Sequence, residues 1–312
     1  MTNLNFNPQA DVPDLSGRVF VITGGTSGIG KTTILRLAAR NPAKIIFTGR
    51  SAARAQQVIT EASALSPATK ISFVPCDQAD LESVKASGEE IIKLSGGRID
   101  VLICNAAVFI PDAGVTKQGY EVAFGTNHLG SAAIVDVLFP TLMQTSTATE
   151  SSDVRIVFVS SESLLTAPKE GIAFPLLKTD MASFACVASG LKRYSQSKLA
   201  LRLYALEMAK RYPAVTSIAI HPGKIKTESV DTAPWWTKLF FAVSSDILTP
   251  DEGCYNTLWA STADREKCKL QGGWFSPVGI QGPEIPQEHL SLSEQLWTWT
   301  QTELKTHAFS GL

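Results

Sequence analysis

Six short runs of aliphatic and β-branched residues punctuate the first two-thirds of the chain and constrain its fold most. Arg18–Thr23 (RVFVIT), Lys44–Thr48 (KIIFT), Ile71–Val74 (ISFV), Val101–Cys104 (VLIC), Arg155–Val159 (RIVFV) and Thr216–Ile220 (TSIAI) are near-continuously apolar rather than alternating. Strands of that kind need cover on both faces, as in a parallel sheet between two layers of helices. Segments with helical spacing fill the intervals, such as Ile29–Arg40, which stops at Asn41-Pro42. A further strand is expected at Trp274–Val278, then a polar helical tail from about Pro286. The alternation predicts an α/β fold: a doubly wound, mostly parallel sheet of about seven strands with helices on both faces. Thr145–Asp153 is polar, but a strand follows at once, so it reads as a surface loop in a single domain spanning 1–312.

Charge and cysteine usage exclude several classes. Lys plus Arg total 28 against 29 Asp plus Glu, a net charge of -1 with no basic stripe, so no nucleic-acid partner is expected. The five cysteines (Cys76, Cys104, Cys186, Cys254, Cys268) are scattered without CxxC pairs, which fits reduced thiols better than disulfides or a metal site. Met1–Ser16 has neither a basic nor an apolar signal region, and the apolar runs are broken short of the roughly 18 residues a spanning helix needs. A cytoplasmic protein is the expectation, with peripheral membrane contact left open.

Thr23–Gly30 (TGGTSGIG) follows the first strand and opens the first helix. Glycines at 24, 28 and 30 allow a tight turn and close approach of a pyrophosphate, which the helix N-terminus then attracts. Thr26, Ser27 and Ile29 belong to the same turn. No carboxylate stands in Thr48-Gly49-Arg50-Ser51 to bind a ribose 2′-hydroxyl. Arg50 suits a 2′-phosphate and Lys31 would add a second charge, so NADP(H) is favoured over NAD(H). Asp77, after the third strand, reads as either an adenine contact or a turn residue. Asn105-Ala106-Ala107, after the fourth, reads equally as cofactor contact or local packing.

Tyr194-Ser195-Gln196-Ser197-Lys198 is the only YxxxK match among five tyrosines. Spacing of four puts both side chains on one helix face, where an ammonium favours the phenolate. Ser161 lies just past the fifth strand, at the carboxyl edge where open α/β sheets bind ligands, with Ser160 as the alternative. Asn127 sits among helix-core residues, either as a structural anchor or as part of a proton-transfer network.

In these motifs the chain resembles the short-chain dehydrogenase/reductase family, in its retinol-dehydrogenase and WW-domain-oxidoreductase-like branch. The resemblance runs through TGGTSGIG, CD at 76–77, NAA at 105–107, NHLG at 127–130, VSS at 159–161, YSQSK at 194–198 and HPGKIKT at 221–227. It implies a Rossmann-type fold and hydride transfer between nicotinamide and a carbonyl or alcohol carbon. It implies that Tyr194 is the general acid or base, that Lys198 lowers its pKa and holds the nicotinamide ribose, and that Ser161 orients the carbonyl. It further implies that Asn127 holds a water, and that the Pro222-Gly223 turn, Ile225 and Thr227 meet the nicotinamide carboxamide. Similar proteins often pair through the helices carrying Asn127 and Tyr194, so those faces are where a homodimer would form; the sequence itself leaves the oligomeric state undetermined. Two departures stand out: alanine at 107 where the family has glycine, and a long interval before Tyr194, which makes 164–192 an expected flap.

Trp235, Trp236, Leu239, Phe240 and Phe241 make 228–248 strongly apolar, read as a lid over a bulky substrate, a helix packed on the core, or a membrane or subunit contact. His221 reads as a turn residue. The expected activity is NADP(H)-dependent carbonyl reduction or alcohol oxidation on a hydrophobic small molecule with few polar contacts. A lipid-like carbonyl or a polyketide or terpenoid intermediate of secondary metabolism would suit the lid. A non-redox cyclase or isomerase would survive Tyr194→Phe, and a dinucleotide sensor would bind cofactor without turnover.

Overall fold

The computed structural model describes residues 6–150, 152–182, 189–225, 247–249, 251–285 and 287–312. The strands are β1 (Val19–Ile22), β2 (Lys44–Gly49), β3 (Lys70–Pro75), β4 (Val101–Cys104), β5 (Arg155–Val159), β6 (Thr216–Ile220), β7 (Lys224–Ile225), β8 (Ile247–Leu248), β9 (Trp274–Ser276) and β10 (Ile280–Gln281). Eight form one sheet in the order β10-β9-β6-β5-β4-β1-β2-β3, while β7 and β8 pair separately. The sheet is parallel except at β10, which runs antiparallel to β9. Sequence reading missed β10 because it is two residues long and follows a reversal at Gly279 (φ +68°).

The apolar strands are sandwiched as their composition requires. Val21, Ile46, Leu102 and Ile156 face helices Leu81–Ser95, Gly130–Ser146 and Ser189–Arg211. Phe20, Ile45, Phe47 and Val157 face helices Gly28–Ala38, Ala52–Leu65 and Tyr255–Thr262. Each such fully buried side chain contributes about 1.5–3 kcal/mol relative to exposure. Strand order reverses between β1 and β4, so the loops leaving their carboxyl ends diverge and open a crevice, the usual ligand position in such sheets.

The helical segment Val122–Ser146 is apolar enough to qualify as a membrane span, with mean hydropathy 1.3, contrary to the broken runs read from the sequence. Its apolarity has an internal cause: 89% of that window is buried inside the protein.

The tail forms helix Gln287–Thr306, and its polar composition conceals a buried stripe of Leu292, Leu296, Trp297 and Leu304. It lies along helix Ser189–Arg211, with Trp297 stacked on Tyr204 at 5.2 Å and Ser293 Oγ donating to Glu207 at 2.7 Å. Thr300 meets His128 at 2.8 Å, and Ser310 binds Asp136 on helix Gly130–Ser146. The faces through which a second copy was expected to dock are thus covered by the chain itself. Light scattering is expected to give a 33.5 kDa monomer; a tight dimer would mean that the tail helix is displaced or that contact lies on another face.

Candidate active site

The two loops at the crevice are tied together by Thr23 and Asn105. Thr23 is fully buried, and its Oγ1 accepts the N–H groups of Asn105 and Ala106, each at 3.0 Å. Asn105 Nδ2 donates to the carbonyls of Thr23 (2.9 Å) and Gly24 (3.1 Å), so Asn105 packs the two loops together while also lining the cleft. Gly24 takes φ +69°, and a Cβ on Gly30 would lie 2.2 Å from the Gly24 oxygen. Helix Gly28–Ala38 opens beside the crevice with no side-chain cap from Ser27 and no acidic residue in its first turn. Its N-terminal N–H groups and positive dipole end therefore suit an anion.

A cleft of about 740 Å³ runs from this turn along the carboxyl edge of the sheet. Gly24, Thr26, Ser27, Gly28 and Ile29 line it, and Ala106 and Ala107 form part of its wall. Arg50 and Asp77 are exposed at the same cleft. Asp77 Oδ1 accepts the Ala79 N–H at 3.0 Å, a turn contact that leaves Oδ2 available for a ligand. Lys31 is placed elsewhere: its Nζ pairs with Glu61 at 2.8 Å, and it is not among the lining residues. Its expected role as a second phosphate cation is not supported by this geometry, because a carboxylate on the neighbouring helix already holds it.

At the other end, helix Ser189–Arg211 presents Tyr194 and Lys198 to the same cleft, both buried. Three consecutive residues, the last of β5 and the two that follow it, stitch this helix to the sheet. Lys198 Nζ donates to Val159 O at 2.8 Å, and Ser160 Oγ donates to Lys198 O at 2.7 Å. Ser161 hydrogen-bonds Tyr194, and its Oγ also accepts the Ser163 N–H at 3.2 Å. Ser160 is thereby committed to backbone, leaving Ser161 as the serine available to a substrate. Phe109 packs edge-on against the Tyr194 ring at 5.1 Å.

Asn127 is fully buried and lies behind the cleft rather than on it, within a π-helical turn, Gly125–Leu129. Its side chain binds both backbone groups of Val108 and donates to Ser197 Oγ at 2.9 Å, the bonds of an anchor. Pro222, Gly223 and Ile225 line the cleft; Thr227 and 228–246, with the aromatic cluster, lie outside the described residues. Asn256, which sequence reading missed, fixes the Pro-Gly turn by donating to His221 O at 2.7 Å. Of the expected flap, 164–166 complete a turn that begins at Glu162, with Thr166 lining the cleft, whereas Ile172, Leu177 and Met181 are buried in the core. Residues 183–188 lie outside the description.

Burial reverses the expected electrostatics of the Tyr–Lys pair. It pushes the Tyr194 hydroxyl up from 10.0, with Ser161 partly opposing, and draws Lys198 down to about 7. Lys198 Nζ lies 5.6 Å from the Tyr194 ring centre, and desolvation penalises each charged form. Tyr194 therefore keeps its proton, as a general acid must. Among the described residues Lys198 Nζ has one acceptor, the Val159 carbonyl, leaving further N–H donors for ribose hydroxyls. Together with the uncapped helix start and the glycine turn, these residues fit a nicotinamide dinucleotide.

The same burial makes stability depend on pH. Between about 7 and its ordinary 10.5, Lys198 holds its proton in the unfolded chain but has released it in the folded one. Raising the pH through that window therefore stabilises the fold. Above the ordinary thiol value of 9.0, Cys104 and Cys254, raised by burial, begin to oppose this. The Tm of the cofactor-free protein is expected to rise from about pH 7 to about pH 8.5, and to rise less in Lys198→Met.

A doubly wound sheet, an anion-binding glycine turn and a Ser–Tyr–Lys set with its tyrosine and lysine buried, at opposite ends of one cleft, define a dinucleotide-dependent oxidoreductase. Residues 18–175 match the family described as short chain dehydrogenase. An oxidoreductase of uncharacterised role from Schizosaccharomyces pombe is 33% identical over 296 residues, covering 93% of this chain and 86% of its own. A short-chain dehydrogenase/reductase from Phomopsis amygdali is 30% identical over 320 residues, covering 96% and 93%. The chain belongs to the short-chain dehydrogenase/reductase family. The crystal structure of an uncharacterised protein from Mycobacterium paratuberculosis matches with a TM-score of 0.71 and 25% identity over 96% of this chain and 97% of that one. An NADPH-bound carbonyl reductase from chicken fatty liver shares the fold at TM-score 0.63 and 23% identity, over 86% and 100%.

Proposed function

We propose that the protein is an NADP(H)-dependent carbonyl reductase acting on a hydrophobic ketone or aldehyde, or on the secondary alcohol in the reverse direction. The observation that carries this reading is the convergence of Ser161, Tyr194 and Lys198 at one end of a cleft whose other end presents Arg50, with no carboxylate beside it in Thr48–Ser51 at the end of β2. Bound there, the nicotinamide dinucleotide would supply the hydride. Ser161 Oγ and the Tyr194 hydroxyl would hold the carbonyl oxygen, and Tyr194 would release its proton to that oxygen as the hydride reaches carbon. Lys198, fixed by Val159, would hold the ribose and stabilise the phenolate left on Tyr194. Asn127 would act as a positioning residue, keeping Val108 and the Tyr194 helix in register through Ser197. Val108, Phe109, Ile110, Val122 and Leu191 supply apolar wall, which supports a hydrophobic substrate. The test is oxidation of NADPH, with NADH in parallel, over a panel of hydrophobic ketones and aldehydes. NADPH-selective turnover is expected, and tight cofactor binding without oxidation by any carbonyl would sink the reading.

A further inference from the structure

The cleft wall near the reacting centre has a second, polar component. Glu162, Ser163, Thr166 and His221 line the same space as the apolar residues, so the expectation of few polar contacts describes only part of it. Glu162 Oε2 lies 3.6 Å from His221 Nε2, too far for a direct hydrogen bond, and 48% of the Glu162 side chain is exposed. Ser163 Oγ and His221 Nδ1 are buried without a hydrogen-bond partner among the described residues. Leaving such atoms unmet costs about 1–3 kcal/mol each; both are closed off in this structure, so a polar ligand removes that cost only where the wall shifts to admit it.

The charges narrow what that ligand is. Burial, together with the cations of Lys224 and Lys198, draws His221 down to about 3, so at neutral pH it carries no charge to pair with Glu162. Lys224, with the protonated fraction of Lys198, disfavours a cationic group in this part of the cleft. What the carboxylate lacks is a neutral hydrogen-bond donor.

We propose that the substrate is a hydroxylated ketone, or the corresponding diol, whose extra hydroxyl donates to Glu162 while its carbonyl oxygen meets Ser161 and Tyr194. His221 and Ser163 complete the polar side. This inference rests on the carbonyl-reductase reading and makes it more specific. A site built to bond a hydroxyl discriminates against the analogue that lacks one, because its polar groups are then left unmet. Partial exposure of Glu162 reduces that discrimination to about tenfold rather than the larger ratios of sealed sites.

The test compares α-tetralone with its ring-hydroxylated derivatives, themselves positional isomers, in the full-length protein, as wild type, Glu162→Leu and Glu162→Gln. At least one hydroxylated isomer should exceed α-tetralone in kcat/KM by about tenfold in wild type. That ratio should fall toward one in Glu162→Leu and recover in part in Glu162→Gln, whose amide oxygen still accepts. Equal kcat/KM for α-tetralone and all these derivatives in wild type, or a preference that survives Glu162→Leu, overturns the proposal. Binding of the same ketones to the NADPH complex, followed by nicotinamide fluorescence, separates the two readings. Selective binding without turnover would overturn the reductase reading and keep hydroxyl recognition. Absence of selectivity in binding and turnover alike overturns hydroxyl recognition whatever becomes of the reductase.

Discussion

Replacing Tyr194 by Phe is expected to lower NADPH-dependent carbonyl reduction by about 10²–10⁴-fold, the usual contribution of a positioned general acid. The change is chemically narrow. The ring remains to meet Phe109 at its edge, and the helix keeps its two attachments to the end of β5, through Lys198 Nζ and the Lys198 carbonyl. Only the O–H is removed, and with it the proton that burial keeps on the phenol at neutral pH. Because Tyr194 is 8% exposed, bulk water is poorly placed to substitute as proton donor. The effect should therefore fall on kcat more than on cofactor affinity, whose main supports lie at the glycine turn. Steady-state rates with one good ketone, beside a fluorescence titration of NADPH, give both quantities. Turnover that stays within about tenfold of wild type would remove Tyr194 from the acid role and place proton donation on another group.

How much of this was legible beforehand depends on whether a residue's role is local in the chain. The buried strands declared themselves through composition, since a strand covered on both faces has no reason to alternate. Thr23–Gly30, Ser161, Tyr194 and Lys198 were placed by position, each at a strand end or at helical spacing, and the structure brings them to one cleft apart from Thr23, Gly25 and Gly30, which pack behind it. Misjudged features are those fixed by distant partners. Lys31 looked like a phosphate ligand because Glu61, which holds it, stands 30 residues away on another helix. Helix Gln287–Thr306 read as a polar tail because its buried stripe is interleaved with Glu, Gln and Thr, and only contact with Tyr204 and His128 reveals which face is inward. Glu162 and Ser163 were overlooked although they directly follow Ser161. Position past the end of β5 was the available signal, but the orphaned atoms that make the wall informative exist only in three dimensions.

Removing the charge at Arg50 is expected to shift cofactor preference toward NADH by about 10–100-fold, the range of one or two charge-assisted hydrogen bonds worth about 1.5–3 kcal/mol. Arg50 is exposed at the cleft just beyond β2 and has no ion-pair partner among the described residues, so its guanidinium is available to a 2′-phosphate. Lys31 supplies a control, because Glu61 already holds it away from that position. Arg50→Ser should therefore raise KM for NADPH while changing KM for NADH little, whereas Lys31→Ala should leave the ratio near its wild-type value. Solvent exposure makes the Arg50 contribution sensitive to screening, so the wild-type preference should shrink as salt is raised and the mutant ratio should not. The reverse pattern, with Lys31→Ala collapsing the preference and Arg50→Ser sparing it, would mean that the Lys31–Glu61 pair opens when cofactor binds. Loss of preference in neither variant would place phosphate recognition on a group other than these two cations.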